Sequence, residues 1–134
     1  MKRDTDKLTT EVVEVAKRQG AMLVGIASID RFDPLPPLYD AAPKGHHPKD
    51  FLPEARAVIS VAMPILNPVL DVPAFLVDKE MAMIPEHVKY PYMEMLYNRV
   101  GHLLHDFMLE FTGQVVGQYL LSQSYQAMIF PTAG

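Results

Sequence analysis

The chain has 134 residues, the size of one domain, and 49% of them are hydrophobic, which is enough for a core. Its net charge of −4, with acidic and basic residues mixed, lacks the clustered Lys and Arg of a nucleic-acid-binding surface. The absence of cysteine excludes disulfides and cysteine-ligated iron–sulfur clusters within this chain. No apolar run approaches the roughly 18 residues of a membrane span, and the charged N-terminus is no secretory signal, so we expect a cytoplasmic protein without membrane contact.

The first two predicted elements are a helix and a buried strand. Thr5 to Gln19 carries apolar residues at helical spacing opposite charged ones, and Gly20 suits a left-handed stop. Ala21 to Ala27 is a continuous apolar run, which predicts a strand covered on both faces. Gly25 inside it is either a packing glycine or a point where a backbone or ligand approaches closely.

A long connection, residues 28–56, separates this strand from the next, and we expect its apolar residues to wrap it around the domain. Lys49 to Leu52 is predicted to form one helical turn before Pro53. Ala57 to Met63 is rich in β-branched residues and ends before Pro64, which indicates a second strand covered on both faces.

The C-terminal part contains the clearest helix. Residues 64–91 have no clear period and are predicted to be irregular. Pro91 to Ser122 carries one apolar stripe, with Pro91 in the first helical turn and a bend expected near Gly113. Ala127 to Phe130 is predicted as a short third strand. The order of elements predicts an α/β (α+β) fold, a single domain over residues 1–134 in which helices pack on a small sheet of about three strands.

Several residues are candidates for a functional site, but none of them identifies a reaction. His46 and His47 are adjacent and point to opposite faces of an extended segment, so they do not share a metal. They either hydrogen-bond backbone and fix the loop's path, or one of them faces a ligand. His102 and His105 lie three apart and are predicted on a solvated helix face. Tyr97 either packs at a core boundary or brings its phenol to a pocket edge. We predict no metal site and assign no catalytic residue.

The loop and strand from Pro43 to Met63 resemble a known family. The order Pro-x-Gly-His-His-Pro-x-Asp-x-Leu-Pro-x-Ala-x-x-Val-Ile is similar to the N-terminal region shared by epoxyqueuosine reductases and reductive dehalogenases. Residues 16–27, 97–120 and 125–131 resemble the family's opening helix and strand, its long helix and the following strand. Ser124 departs from the family, in which a glycine is usual before Tyr125.

This resemblance implies a cobalamin cofactor, reduced through iron–sulfur clusters, on a core like that of nitroreductases. It places Tyr97, Thr132, His46 and His47 at the cofactor or substrate cavity. The cluster cysteines of the family lie in a C-terminal redox half, so we expect this chain to be the N-terminal part of a larger reductase, inactive alone. Its partners would be that half or further copies of the chain, with a small-molecule substrate.

Two other functions stay open. One is a non-catalytic module that self-associates and binds a ligand or partner. The other is a flavin-binding domain, which fold analogy alone suggests.

Overall fold

A computed structural model of the protein describes residues 5–33, 45–66 and 84–131. Thr132 and residues 67–83, for which the sequence makes predictions, lie outside this described part. Within it the chain mixes helices with a two-stranded antiparallel sheet. In chain order the elements are α1 (Thr5–Arg18), β1 (Leu23–Ser28), a 3₁₀ turn (Ile29–Phe32), α2 (Pro48–Phe51), β2 (Ala57–Ala62), α3 (Glu86–Leu96), a π-helical segment (Tyr97–Leu103) and α4 (Leu104–Ser122).

The core lies where α1 meets α4. Val12 and Ala16 are buried on one side of α1 and pack with Ala21 and with Val116 of α4. Gly20 ends the helix with a φ of +100°, and its amide donates to the carbonyl of Lys17 at 3.0 Å. The left-handed stop expected from the sequence is therefore confirmed, because this backbone region favours glycine over residues with a Cβ.

The strands β1 and β2 pair in one register, from Leu23 opposite Ala62 to Ser28 opposite Ala57. The two helices cover one face of this sheet, and Val24, Ile59 and Val61 pack against the core from it. No residue of either strand is buried, so the expectation of strands covered on both faces is wrong for the described part of the chain. A continuous apolar run indicates that both faces of a strand avoid water. It does not show that elements of the same chain pack on both faces.

The predicted third strand is also wrong. Residues 126–131 have no regular secondary structure, and the described sheet has two strands. These residues do not pair with β2, because the Ile129 side chain packs over Gly113 and Gly117 of α4 instead. A Cβ added to Gly113 would lie 3.1 Å from Cγ2 of Ile129, so the glycine permits this approach. The segment is therefore held on the helix instead of joining β2.

Helices α3 and α4 and the π-helical segment form one long helical rod that differs from the prediction at three points. It begins at Glu86, so Pro91 lies inside α3 and not in its first turn. The irregular part is the π-helical segment, whereas α4 runs through Gly113 without a break. Pro85 precedes the rod as its N-cap, which sets the earlier start. Pro91 then costs the helix one backbone hydrogen bond, since proline has no amide donor.

The rod ends in a left-handed residue. The amide of Tyr125 donates to the carbonyl of Leu120, and that of Ser124 to Leu121, both at 3.0 Å. Ser124 has a φ of +69°. These bonds are the pattern that closes a helix when the next residue is left-handed, a position that favours glycine.

Candidate functional site

A groove of about 430 Å³ lies between β2 and residues 126–131, with α4 as its floor. One wall is the edge of β2 that does not pair with β1. In an antiparallel pair, residues alternate between those that bond across the pair and those that do not. Ile29 donates to the carbonyl of Arg56 in the β1–β2 register, so the backbone groups of Ala57, Ile59 and Val61 point away from β1.

The opposite wall consists of residues 126–131, and its position depends on small residues of α4. Gly113 and Gly117 are four positions apart and so lie on one side of α4. A Cβ on Gly117 would meet Ile129 at 3.6 Å and Ala127 at 3.9 Å. These glycines therefore let residues 126–131 lie close to the helix, and the space up to β2 is left open.

An aromatic pair lies at the groove, because Phe130 lines it and contacts Phe51. The rings of Phe51 in α2 and Phe130 meet edge to face, with centroids 4.8 Å apart. Pro48 and Leu52 line the groove beside this pair. Short helix α2 thus joins the loop before β2 to the segment that follows α4.

The groove is mainly apolar. Its polar side chains are Ser60, Glu110 and Gln126, and aliphatic residues supply most of the remaining surface. Within the described part of the chain, no three His, Cys, Asp or Glu side chains are grouped to hold a metal. Such a surface is suited to an organic ligand with a flat or elongated apolar face, which a few polar groups would orient.

His47 caps α2. Its Nδ1 accepts a hydrogen bond from the amide of Lys49 at 3.1 Å, while its own amide donates to Asp50 Oδ2 at 3.0 Å. Because Nδ1 is an acceptor, the neutral ring carries its proton on Nε2. That buried nitrogen lies 3.3 Å from Asp33 Oδ1, close enough for electrostatic attraction but not aligned as a hydrogen bond. His47 thus hydrogen-bonds backbone and fixes the path of the loop, which is the first of the two roles that the sequence suggests for it.

Tyr97 and His102 meet in the π-helical segment. Their rings make an edge contact with centroids 4.8 Å apart, and Tyr97 is half exposed. The residues are five positions apart, the spacing that a π-helix stacks one above the other. This pair was not predicted from the sequence, because α-helical spacing throughout the rod would place the two rings apart.

His105 is not on a solvated face, and that prediction is wrong. Its Nε2–H donates to the carbonyl of Met63 at 3.0 Å, and its side chain is only 19% exposed. The wider turn of the preceding π-helical segment separates the faces of His102 and His105. His105 therefore fastens the start of α4 to the residue after β2, at one end of the groove's wall.

The cofactor residues expected from the resemblance are not gathered at the groove. Tyr97, His46 and His47 are not among the residues that line it. Pro48 lines it directly after His47, and Pro131 lines it directly before Thr132, which lies outside the described residues. The sequence signal that would have located the groove is the pair Gly113 and Gly117, but Gly113 was interpreted only as the site of a bend.

No known protein family model, curated protein or solved structure matches this chain. The likeness to cobalamin-dependent reductases therefore stays a prediction from the sequence. Among the described residues, no helix is both long enough and apolar enough to cross a lipid bilayer.

Proposed function

We propose that this chain forms one wall of an organic cofactor or substrate pocket in an oxidoreductase of the cobalamin-dependent reductase type. The observation that carries the proposal is the apolar groove between β2 and residues 126–131. Its volume of about 430 Å³ is within the roughly 300–1,000 Å³ typical of small-molecule sites. Both walls belong to segments that resemble the family, namely the strand after the Gly-His-His-Pro loop and the segment after the long helix.

The groove does not enclose a whole corrinoid. The corrin ring with its side chains is larger than the groove, and the lining offers no imidazole or thiolate ligand to cobalt. The apolar lining fits one face of such a ring, or a smaller organic molecule. We therefore propose that a second body, either the C-terminal redox half expected from the resemblance or another copy, completes the pocket.

The chain's own residues would bind and orient the ligand. Leu52, Val61 and Leu120 offer apolar surface that excludes water from the bound face. The cap that His47 places on α2 positions Pro48 and Leu52 at the groove. In enzymes of this type the reduced cofactor supplies the electrons that remove an epoxide oxygen or a halogen. With no cysteine, this chain has no thiolates for the clusters that would reduce it, so it has no turnover alone.

The test is a titration of the purified chain with cobalamin, followed by absorbance and tryptophan fluorescence. The chain has no tryptophan, so Ala57→Trp both fills the groove and adds a single reporter. Ala62→Trp is the matched control, because Ala62 is exposed on the same strand but does not line the groove. We expect weak binding by the unsubstituted chain, with a Kd between about 1 µM and 1 mM, because only one face of the ligand is held.

Ala57→Trp should weaken that binding about tenfold or more, and Ala62→Trp should leave it unchanged. Absence of binding at millimolar cobalamin would contradict the proposed cofactor, and equal affinities of the two variants would contradict the groove as its site.

A non-catalytic ligand-binding module is the second candidate. The observation that favours it is that, among the described residues, the groove is formed without Tyr97, His46 and His47, which the resemblance assigns to the cofactor. Such a module would bind small apolar organic molecules better than cobalamin. Titration of the same three proteins with a naphthalene-sulfonate dye distinguishes the two candidates. The module is supported if the unsubstituted chain binds the dye more tightly than cobalamin and Ala57→Trp abolishes that binding of the dye.

A further inference from the structure

The helical rod has an exposed apolar side. We call it the outer stripe, and it consists of Val88, Tyr92, Met95, Leu103, Leu104, Phe107 and Phe111. These side chains are between 43% and 67% exposed, and the rings of Phe107 and Phe111 are stacked with centroids 6.1 Å apart. The outer stripe does not line the groove. Contiguous apolar surface of this kind usually marks a site of association in soluble proteins.

The π-helical segment keeps the outer stripe on one side of the rod. From Met95 to Phe111 the spacing is four residues at each step, through Arg99, Leu103 and Phe107. In an uninterrupted α-helix four such steps would drift by about 160° around the axis. The wider π-helical turn of Tyr97–Leu103 reduces that drift, so the two halves of the rod present one continuous apolar surface.

The area of the outer stripe is close to what a stable dimer needs. Its seven residues are each about half exposed, and at about 200 Å² for a large side chain they expose on the order of 700 Å². A standard protein–protein interface buries about 800 Å² on each partner. An exposed helical surface of this kind can pack against another helix at an interaxial distance of about 8–10 Å.

We propose that two copies of this chain associate through their outer stripes, with the rods antiparallel and the two-fold axis near Leu103. Arg99 is the charged residue that falls within the stripe's spacing. A parallel pair would bring two Arg99 guanidinium groups together, which is repulsive. An antiparallel pair about Leu103 brings Arg99 of one copy opposite Phe107 of the second copy and beside its Asp106, so that both contacts are attractive.

Sedimentation velocity of the 134-residue chain over a range of concentrations tests the association. We expect a monomer–dimer equilibrium, and Leu103→Lys should raise its Kd at least tenfold by placing two charges at the axis. Leu121→Lys is the matched control, because Leu121 is an exposed leucine on the same helical rod, beyond the outer stripe. A chain that is monomeric at every concentration, or a dimer that Leu103→Lys leaves intact, overturns the proposal.

Single cysteines then test the orientation, since the chain has none of its own. Leu103→Cys should form an intermolecular disulfide on mild oxidation, because its two copies lie at the axis within reach of each other. Phe111→Cys should not, because eight residues from the axis its two copies are about 24 Å apart. Cross-linking of both variants would indicate a parallel pair, and cross-linking of neither would place the interface elsewhere, so either outcome overturns the arrangement. The inference does not rest on the proposed pocket, because neither variant touches the groove.

Discussion

The two ends of the long helical rod have similar apolar content but very different surroundings. In the last turns of α4, Thr112, Val116 and Gly117 are buried, and Val116 packs with Val12 and Ala16 of α1. From Glu86 to Phe111, by contrast, Gly101 is the only buried residue. An apolar stripe therefore shows which side of a helix avoids water, but not whether the chain itself or another molecule covers it. We attribute the stability of the fold to the packed end and association to the exposed end.

The largest expected effect is at the packed end. Val116→Ala should lower the free energy of unfolding by about 2 kcal/mol, because it removes buried methyl groups and leaves a cavity among Val12, Ala16 and Ala21. Urea denaturation followed by circular dichroism measures it. A loss below about 0.5 kcal/mol would mean that this cluster is not the core, and the comparison between the two ends would fail.

The next effect concerns the hydrogen bond that joins α1 to α4. The hydroxyl of Tyr119 donates to Glu11 Oε2 at 2.7 Å in a partly buried position. Tyr119→Phe should cost about 1–2 kcal/mol, since a hydrogen bond to a charged group is stronger than a neutral one but solvent weakens it here.

A double-mutant cycle with Glu11→Ala is the control for this bond, because alanine removes the acceptor, whereas a glutamine oxygen would still accept the bond. If the two losses simply add, then the Tyr119 hydroxyl does not act through Glu11 and the joint between the helices is apolar packing alone.

The packed end could largely be predicted from the sequence, because its signals are local. The helical spacing of Val12 and Ala16 and the stop at Gly20 are confirmed. The register of β1 on β2 could not be predicted, because it depends on a contact between segments far apart in the chain. The third strand was predicted wrongly for a similar reason. The apolar run at 127–130 suits a strand, but Ile129 packs on the distant glycines 113 and 117 instead.

The exposed end and the groove could be predicted less well. Repeated four-residue steps from Met95 to Phe111 exceed the α-helical period, and this was an available sign of the π-helical segment. The sign was missed because the stripe was fitted to a straight α-helix. The lining of the groove was not predicted, because it depends on residues 126–131 packing on α4 instead of forming a strand. The assignment of Tyr97, His46 and His47 to a cofactor stays a prediction.

A smaller change in the free energy of unfolding, in this case a stabilisation, is expected at the C-terminal end of the rod. Ser124 has a left-handed backbone at the position where the resembling family usually has glycine. Ser124→Gly should raise the free energy of unfolding by about 0.5–1 kcal/mol, because it removes the steric cost of a Cβ in this region.

Ser122→Gly is the matched control, because Ser122 is the last helical residue of α4, where the same change should lower the free energy of unfolding by about 0.5 kcal/mol. If both substitutions destabilise, the left-handed termination of α4 is wrong.

The smallest effect on the free energy of unfolding is expected for Phe107→Ala, although it removes more atoms than the other three substitutions. Phe107 is 64% exposed in the outer stripe, so its loss creates no cavity in the monomer. At concentrations well below the dimer Kd, the free energy of unfolding should change by no more than about 0.5 kcal/mol. At high concentration the unsubstituted chain should gain stability from association and the variant should not, because only the native stripe favours the dimer. A loss above about 2 kcal/mol in the dilute monomer would show that the rod's first half is buried within its own chain, and the contrast between its two ends would then disappear.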